Sequence, residues 1–312
     1  MPKVSVIVPI YNVEEYIDRC AKSLFEQTLD DIEFVFVDDC SPDNSINKLK
    51  ELIPLYPNRK EEVKIVRHSE NRGLAIARRT GIENASGDYI IHCDSDDWMD
   101  RNMYADMYNE AISKQADIVI CGYLITDGIT FRPYVSCRST QNMKLIENCL
   151  LQKESAALWS KMVKRKLYQN KLAFPQYSMG EDITLCLQLF FYAHKIVFLP
   201  KPYYFYFVNP KSITQSPSVS DVVRRFNEVS NNVSLLEQFF HSKQQIPHYV
   251  KEAFYCFKHI QRDLLKPIIN EWSYYKLWRD SFKGLNRRVL LMPLSLKEKT
   301  LFVLRFLRLL KR

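Results

Sequence analysis

The sequence predicts a doubly wound α/β domain followed by a helical region. Short apolar runs of four to seven residues alternate with segments whose apolar positions recur at helical spacing. Acidic residues collect where those runs stop, in the loops that follow strands. At 312 residues with 46% hydrophobic and 26% charged residues the chain can bury a substantial core, and it contains no low-complexity tract.

In order, Val4 to Ile10 reads as a buried strand and Glu14 to Gln27 as a helix, with Tyr16, Ile17, Cys20, Leu24 and Phe25 on one face. Ile32 to Val37 is a second strand. Asp38-Asp39-Cys40-Ser41-Pro42-Asp43-Asn44-Ser45 is a turn that offers N-caps to a helix running toward Ile53. Val63 to Arg67 is a third strand, Leu74 to Asn84 a helix and Tyr89 to His92 a fourth strand. Asp100 to Lys114 is helical, and Asp117 to Tyr123 returns as a strand.

Three loops at strand ends should therefore converge: Tyr11-Asn12-Val13-Glu14, Asp38-Asp39 and Asp94-Ser95-Asp96. The stretch His92-Cys93-Asp94-Ser95-Asp96-Asp97-Trp98 brings three carboxylates together, and such carboxylates are tolerated if solvated, protonated or neutralised by a hard divalent cation. On its own the same run reads better as a polar loop capping the next helix. An EF-hand is excluded, because counting from Asp94 the sixth position is Met99 and the twelfth Ala105. With seven glycines there is no G-x-G-x-x-G after the first strand and no Walker loop, and the alternative device for phosphates is metal plus carboxylate, which the Asp94 to Asp96 loop could provide.

The eight cysteines form no C-x-x-C pair, which fits a reduced, cytoplasmic setting, and no apolar run is long enough to cross a bilayer. Met1 to Pro9 leads straight into a strand and has the wrong flanks for a signal peptide. The net charge of +8 is uneven: residues from Val222 onward carry +11, leaving −3 for the rest. Nucleic acid is not the expected partner, since the basic residues lie away from the converging loops and no recognition motif accompanies them.

Four fragments carry a resemblance. Val6-Ile7-Val8-Pro9-Ile10-Tyr11-Asn12, Val37-Asp38-Asp39-Cys40-Ser41-Pro42-Asp43, Asn71-Arg72-Gly73-Leu74-Ala75-Ile76-Ala77-Arg78 and Asp94-Ser95-Asp96-Asp97-Trp98, in this order, resemble the family 2 inverting glycosyltransferases of the GT-A fold. Met179-Gly180-Glu181-Asp182 resembles that family's E-D motif, and Pro202-Tyr203-Tyr204-Phe205-Tyr206 with Ser212-Ile213-Thr214 resembles the end of its domain. Without the family, Glu181 and Asp182 would read as acids complementing a helix dipole.

The resemblance implies a GT-A catalytic domain over 1–215, with a nucleotide-binding half to about residue 123 and an acceptor half from 124, on a mostly parallel sheet. It implies a nucleotide-sugar donor, most often a UDP-sugar, held by Pro9, Tyr11, Glu14, Asp39, Arg72, Arg78, Asp94, Ser95 and Lys211. It implies Mn²⁺ or Mg²⁺ on Asp96 with Asp94, Asp182 as general base beside Glu181, and Trp159 and Asp97 on the acceptor side. The acceptor would be a saccharide or a lipid-linked saccharide. Two departures bear on donor identity: Arg79 stands where Asn is common, and Phe207 where Arg is common, leaving Lys211 as the nearest cation. A degenerate binding protein at the membrane and a sugar nucleotidyltransferase are the rival readings.

Residues 216–312 should form a helical region: Val222 to Phe240, Tyr249 to Leu265, Trp272 to Phe282 and Lys297 to Arg312. In the last, Arg305, Arg308 and Arg312 oppose Phe302, Val303, Phe306, Leu307 and Leu310. This basic amphipathic pattern suits an anionic membrane surface, which would make the chain peripheral, and it suits equally a terminal helix packed on its own protein.

Overall fold

The computed structural model describes residues 1–135, 139–209, 218–282, 284–292 and 294–307. The first strands are β1 (Val4–Ile10), β2 (Ile32–Asp38), β3 (Val63–Arg67) and β4 (Tyr89–His92), joined by helices α1 (Ile17–Phe25), α2 (Ser45–Leu52) and α3 (Leu74–Asn84). These four strands pair parallel, with β1 between β2 and β4 and β3 outside β2. All seven residues of β1 are buried, as expected of a strand covered by helices on both faces.

The next elements are β5 (Trp98–Met99), α4 (Met103–Lys114), β6 (Ile118–Thr126), β7 (Phe131–Tyr134), α5 (Asn142–Leu150), β8 (Lys161–Lys164), α6 (Glu181–Tyr192) and β9 (Ile196–Phe207). The sheet order is β3-β2-β1-β4-β8-β6-β9-β5, with β7 paired to β6. The sheet is mixed where a mostly parallel one was expected. Beyond β4 only the β6–β9 pair is parallel, and β8 runs antiparallel to both of its neighbours. β8 follows α5 through a 3-10 turn at Leu158–Ser160 and enters between β4 and β6, antiparallel to both.

Two helices begin later than their apolar periodicity. α1 starts at Ile17 because Glu14 is used in a loop staple: its N–H donates to Asp43 at 2.8 Å, and its carboxylate accepts from the Asn44 N–H at 2.9 Å. α4 starts at Met103 because Asp100 turns back and accepts from the Asn102 N–H. α3 lies close on β1. A Cβ at Gly81 would fall 2.2 Å from Ile7 Cγ2, so only glycine allows this approach, and the approach sets the height of Arg78 one turn earlier.

The C-terminal helices are α7 (Val219–His241), α8 (His248–Arg262), α9 (Trp272–Asp280), α10 (Leu285–Val289) and α11 (Leu296–Phe306). The apolar core crosses residue 216: Val229, Val233 and Leu236 of α7 and Phe254 and Phe257 of α8 share one cluster with Leu185 and Phe190 of α6 and Ile7 of β1. A second cluster around Trp278, Leu265, Val222 and Phe302 draws its buried residues from the C-terminal region, with Leu151 packed against it from the end of α5. No described helix is long and apolar enough to cross a membrane.

Candidate active site

The carboxyl ends of β1, β2 and β4 open on one side, and the acids there fall into two groups. The first is closed. Asp39 accepts from the Arg72 and Gly73 N–H groups at 2.8 Å each, and its Oδ1 lies 2.6 Å from His68 Nδ1. Asp38 accepts from the Ser41 N–H at 2.8 Å and pairs with Arg67. Asp43 accepts from Ser41, Ser45 and the Glu14 N–H, and the hydroxyl donors Ser41 and Ser45 hold its carboxyl below the usual range against the opposing effect of burial. Glu14 and Asp39 are thus joined into one framework with the β1 loop, where Pro9 is buried in the sheet and Tyr11 is exposed.

The second group is open. The Asp94–Asp97 turn follows β4, closed by the Asp97 N–H to the Asp94 carbonyl at 3.1 Å. Facing it is the first turn of α6, with Glu181 and Asp182. Arg78 stands between them, its side chain 3% exposed: Nη2 is 2.8 Å from Asp94 Oδ1 and 3.5 Å from Asp182 Oδ1, and Nε is 3.6 Å from Glu181 Oε1. Only the contact with Asp94 is a hydrogen bond. Arg78 Nε and Nη1 and Asp182 Oδ1 are buried and lack a hydrogen-bond partner.

The electrostatics follow from that shortage. Burial pushes Glu181 well above the ordinary carboxylate range, with the Asp182 charge adding to it and Arg78 opposing. Burial also raises Asp182, against the pull of Arg78 and with the push of Asp94. Asp96 is raised by burial and by Asp94. Lys161, buried nearby, adds a weaker pull on Asp182, so three carboxylates share Arg78 with one further cation in support.

Each anticipated site residue has a definite place. Asp94 and Asp96 are half-buried at the turn, while Ser95 is buried between them. Asp97 is buried, its carboxylate accepting from Tyr204 Oη at 2.7 Å and the Phe207 N–H at 2.7 Å, so both its oxygens are engaged by β9. Trp159 likewise lies in the wall, stacked between Tyr204 at 4.3 Å and Tyr206 at 5.7 Å; of the three rings Tyr206 is the one exposed. Arg72 contributes its backbone N–H to Asp39 while its side chain is exposed. Lys211 lies outside the described residues, as do Ser212-Ile213-Thr214.

Four further residues shape the site. Arg19 of α1 lies 3.7 Å over the Trp98 ring and donates to the Asp96 carbonyl at 2.7 Å. Asn209 donates to Asp96 Oδ2 at 3.0 Å. The Tyr204 hydroxyl accepts from the Asp94 N–H at 3.0 Å, and His68 bridges Asp39 to Thr80. His68 directly follows β3, so the strand-end rule that selected Asp39 and Asp94 could have found it. Arg19 sits on the polar face of a helix and carries no local signal.

A mixed α/β sheet whose strand-end aspartates face a helix-borne acid pair defines the GT-A class of glycosyltransferases. Residues 5–171 match the family described as Glycosyl transferase family 2, and the chain belongs to that family. The chain is 34% identical over 227 residues to the uncharacterized glycosyltransferase EpsJ of Bacillus subtilis, covering 70% of this chain and 64% of EpsJ's own length. The fold superposes on Staphylococcus aureus TarS with a TM-score of 0.70 at 18% identity, covering 97% of this chain and 52% of TarS. A TarS 1-349 structure in complex with UDP-GlcNAc gives 0.59 at 17% identity, covering 85% and 82%. The mannosyltransferase PcManGT of Pyrobaculum calidifontis, in complex with GDP-Man and Mn²⁺, gives 0.58 at 15% identity, covering 97% and 84%.

Proposed function

We propose that this chain transfers a sugar from a nucleotide-sugar, UDP-linked in our reading, to a hydroxyl of a saccharide or lipid-linked saccharide, inverting the anomeric carbon in one displacement. The observation that carries the reading is the meeting of two acid-bearing elements, the Asp94–Asp97 turn and the start of α6, across the buried Arg78. Asp182 takes the proton of the acceptor hydroxyl as its oxygen bonds to the anomeric carbon, while the bond to the diphosphate oxygen breaks on the opposite face. Burial makes Asp182 a stronger base than an ordinary carboxylate, and Arg78 at 3.5 Å keeps its ionised form accessible. Glu181 beside it is also raised by burial, and a proton held by the pair limits the charge there.

Pro9, Tyr11 and Glu14 form the nucleoside side in this reading. A carboxylate has about four lone-pair sites. Asp39 uses three, and the fourth is available to the uracil imide N–H.

Among the described residues no three or more His, Cys, Asp or Glu side chains make a complete metal shell, so a cation here would need oxygens from the donor as well. Asp96 and Asp94 fit that partial role: both are hard oxygen donors on one turn, and the raised state of Asp96 is one a cation would relieve. When bound there, Mn²⁺ or Mg²⁺ would neutralise charge on the departing diphosphate. A lipid-linked acceptor would bring the chain to the cytoplasmic face of a membrane.

The test is nucleoside diphosphate release from a panel of nucleotide-sugars with and without Mn²⁺, beside calorimetric donor binding. One donor should turn over with metal, and Asp96→Ala should abolish that turnover. No binding of any nucleotide-sugar would overturn the reading.

A further inference from the structure

The C-terminal region carries an apolar surface that sugar transfer does not use. α11 was expected to offer its apolar face to a membrane or to its own protein, and it packs on its own protein. Phe302 is 5% exposed, Val303 and Phe306 pack on the cluster around Trp278, and the Tyr275 hydroxyl donates to the Phe306 carbonyl. Residues 308–312 of the expected helix lie outside the described residues. Of that face Leu307, just past α11, stays 57% exposed, while Phe302, Val303 and Phe306 are taken up inside the fold.

The turn between α10 and α11 is built the opposite way. Leu290, Leu291 and Leu296 are 50%, 80% and 81% exposed, within seven residues of one another. Exposed leucines scattered singly need no explanation, but three within seven residues of sequence concentrate apolar side chains at one connection of the fold. Exposed Arg287 precedes them and exposed Lys297 follows. From Gly284 to Leu307 there are five Lys and Arg against one Glu, and that Glu298 is tied into the capping box of α11 with Ser295. Arg288 leans back on Glu252 at 3.2 Å. A partner for this turn must accept leucines to shallow depth and present negative charge around them, which is the chemistry of an anionic lipid surface.

We propose that the leucines of the α10–α11 turn insert among anionic lipid headgroups, with Arg287 and Lys297 on the phosphates beside them. The proposal stands apart from the glycosyl-transfer reading, since it uses no residue of the candidate active site.

The full chain would be sedimented with vesicles of phosphatidylcholine containing phosphatidylserine, and with phosphatidylcholine alone. Binding to the anionic vesicles only, weakening with salt, is expected. Leu291→Asp with Leu296→Asp should lower partitioning by about tenfold or more, from lost insertion of two leucines. Arg287→Gln with Lys297→Gln should lower it by about fivefold per cation removed. Both pairs lie at exposed positions, so thermal unfolding should match wild type, and donor hydrolysis without vesicles should be unchanged. Wild type left in the supernatant with anionic vesicles would overturn the proposal. So would variants that bind like wild type, or a leucine variant whose only effect is to convert a dimer to a monomer in light scattering.

Discussion

Two acidic clusters lie at the same edge of one sheet and are built on opposite principles. Around Asp38, Asp39 and Asp43, backbone N–H groups, hydroxyls and His68 supply donors to each carboxylate. Around Asp94, Glu181 and Asp182 one arginine serves three acids, and buried polar atoms on both sides lack partners. The first arrangement holds loop shape. The second keeps polar capacity in reserve, which costs stability and is tolerated where a ligand will use it.

The largest effect that separates the clusters should come from Asp182→Asn. If it is the base, kcat should fall by about 10²- to 10⁴-fold with donor affinity retained. Its urea midpoint should stay near that of wild type, because Oδ1 has no hydrogen bond to lose and the amide oxygen can still accept from the Leu158 N–H. A kcat near wild type would remove the base assignment.

Next in size, Asp39→Ala should cost about 2–4 kcal/mol in urea unfolding, since it strands two backbone N–H groups and His68. A loss within experimental error would mean that the closed cluster is not a framework at all, and the contrast would fail.

The smallest effect sharpens the comparison through pH. Burial raises Glu181 in the folded chain, so folding favours its protonated form. Stability from this group is full below the ordinary glutamate range and is lost as pH rises through the folded value. Glu181→Gln removes that loss, so its urea midpoint relative to wild type should grow between about pH 5 and about pH 8. An unchanged difference across that range would show that Glu181 is not held up by its surroundings.

Much of the parallel half was legible because each buried strand is a short apolar run and each loop after it is acidic. The strand β1, with every residue buried, and α3, at its expected limits, are the clearest cases. The antiparallel placing of β8 was not legible, since it depends on which edge of β4 stays unpaired after β1 has taken the other. At the site, sequence adjacency gave Asp94 with Asp96 and Glu181 with Asp182. It could not give Arg78 as the link between them, because the approach of α3 to α6 is a property of the packed core. The inward direction of Asp97 and Trp159, which bond and stack onto β9, is decided by strand and turn pairing that sequence adjacency does not report. The direction of α11 followed the same rule: its amphipathic pattern named a face without naming what covers it.

Three hydrogen bonds from α7 reach further than their size suggests. Asn232 donates to the Tyr177 and Met179 carbonyls at 2.8 and 2.9 Å, and Glu228 accepts from the Met179 N–H at 3.1 Å. The segment that delivers Asp182 is therefore fastened by a helix beyond the matched family region. A chimaera that exchanges the C-terminal region at residue 216 would inherit its reactive turn from one parent and the fastener from another. Junctions placed after α7 should preserve that geometry, and specificity grafting in this chain has to begin there.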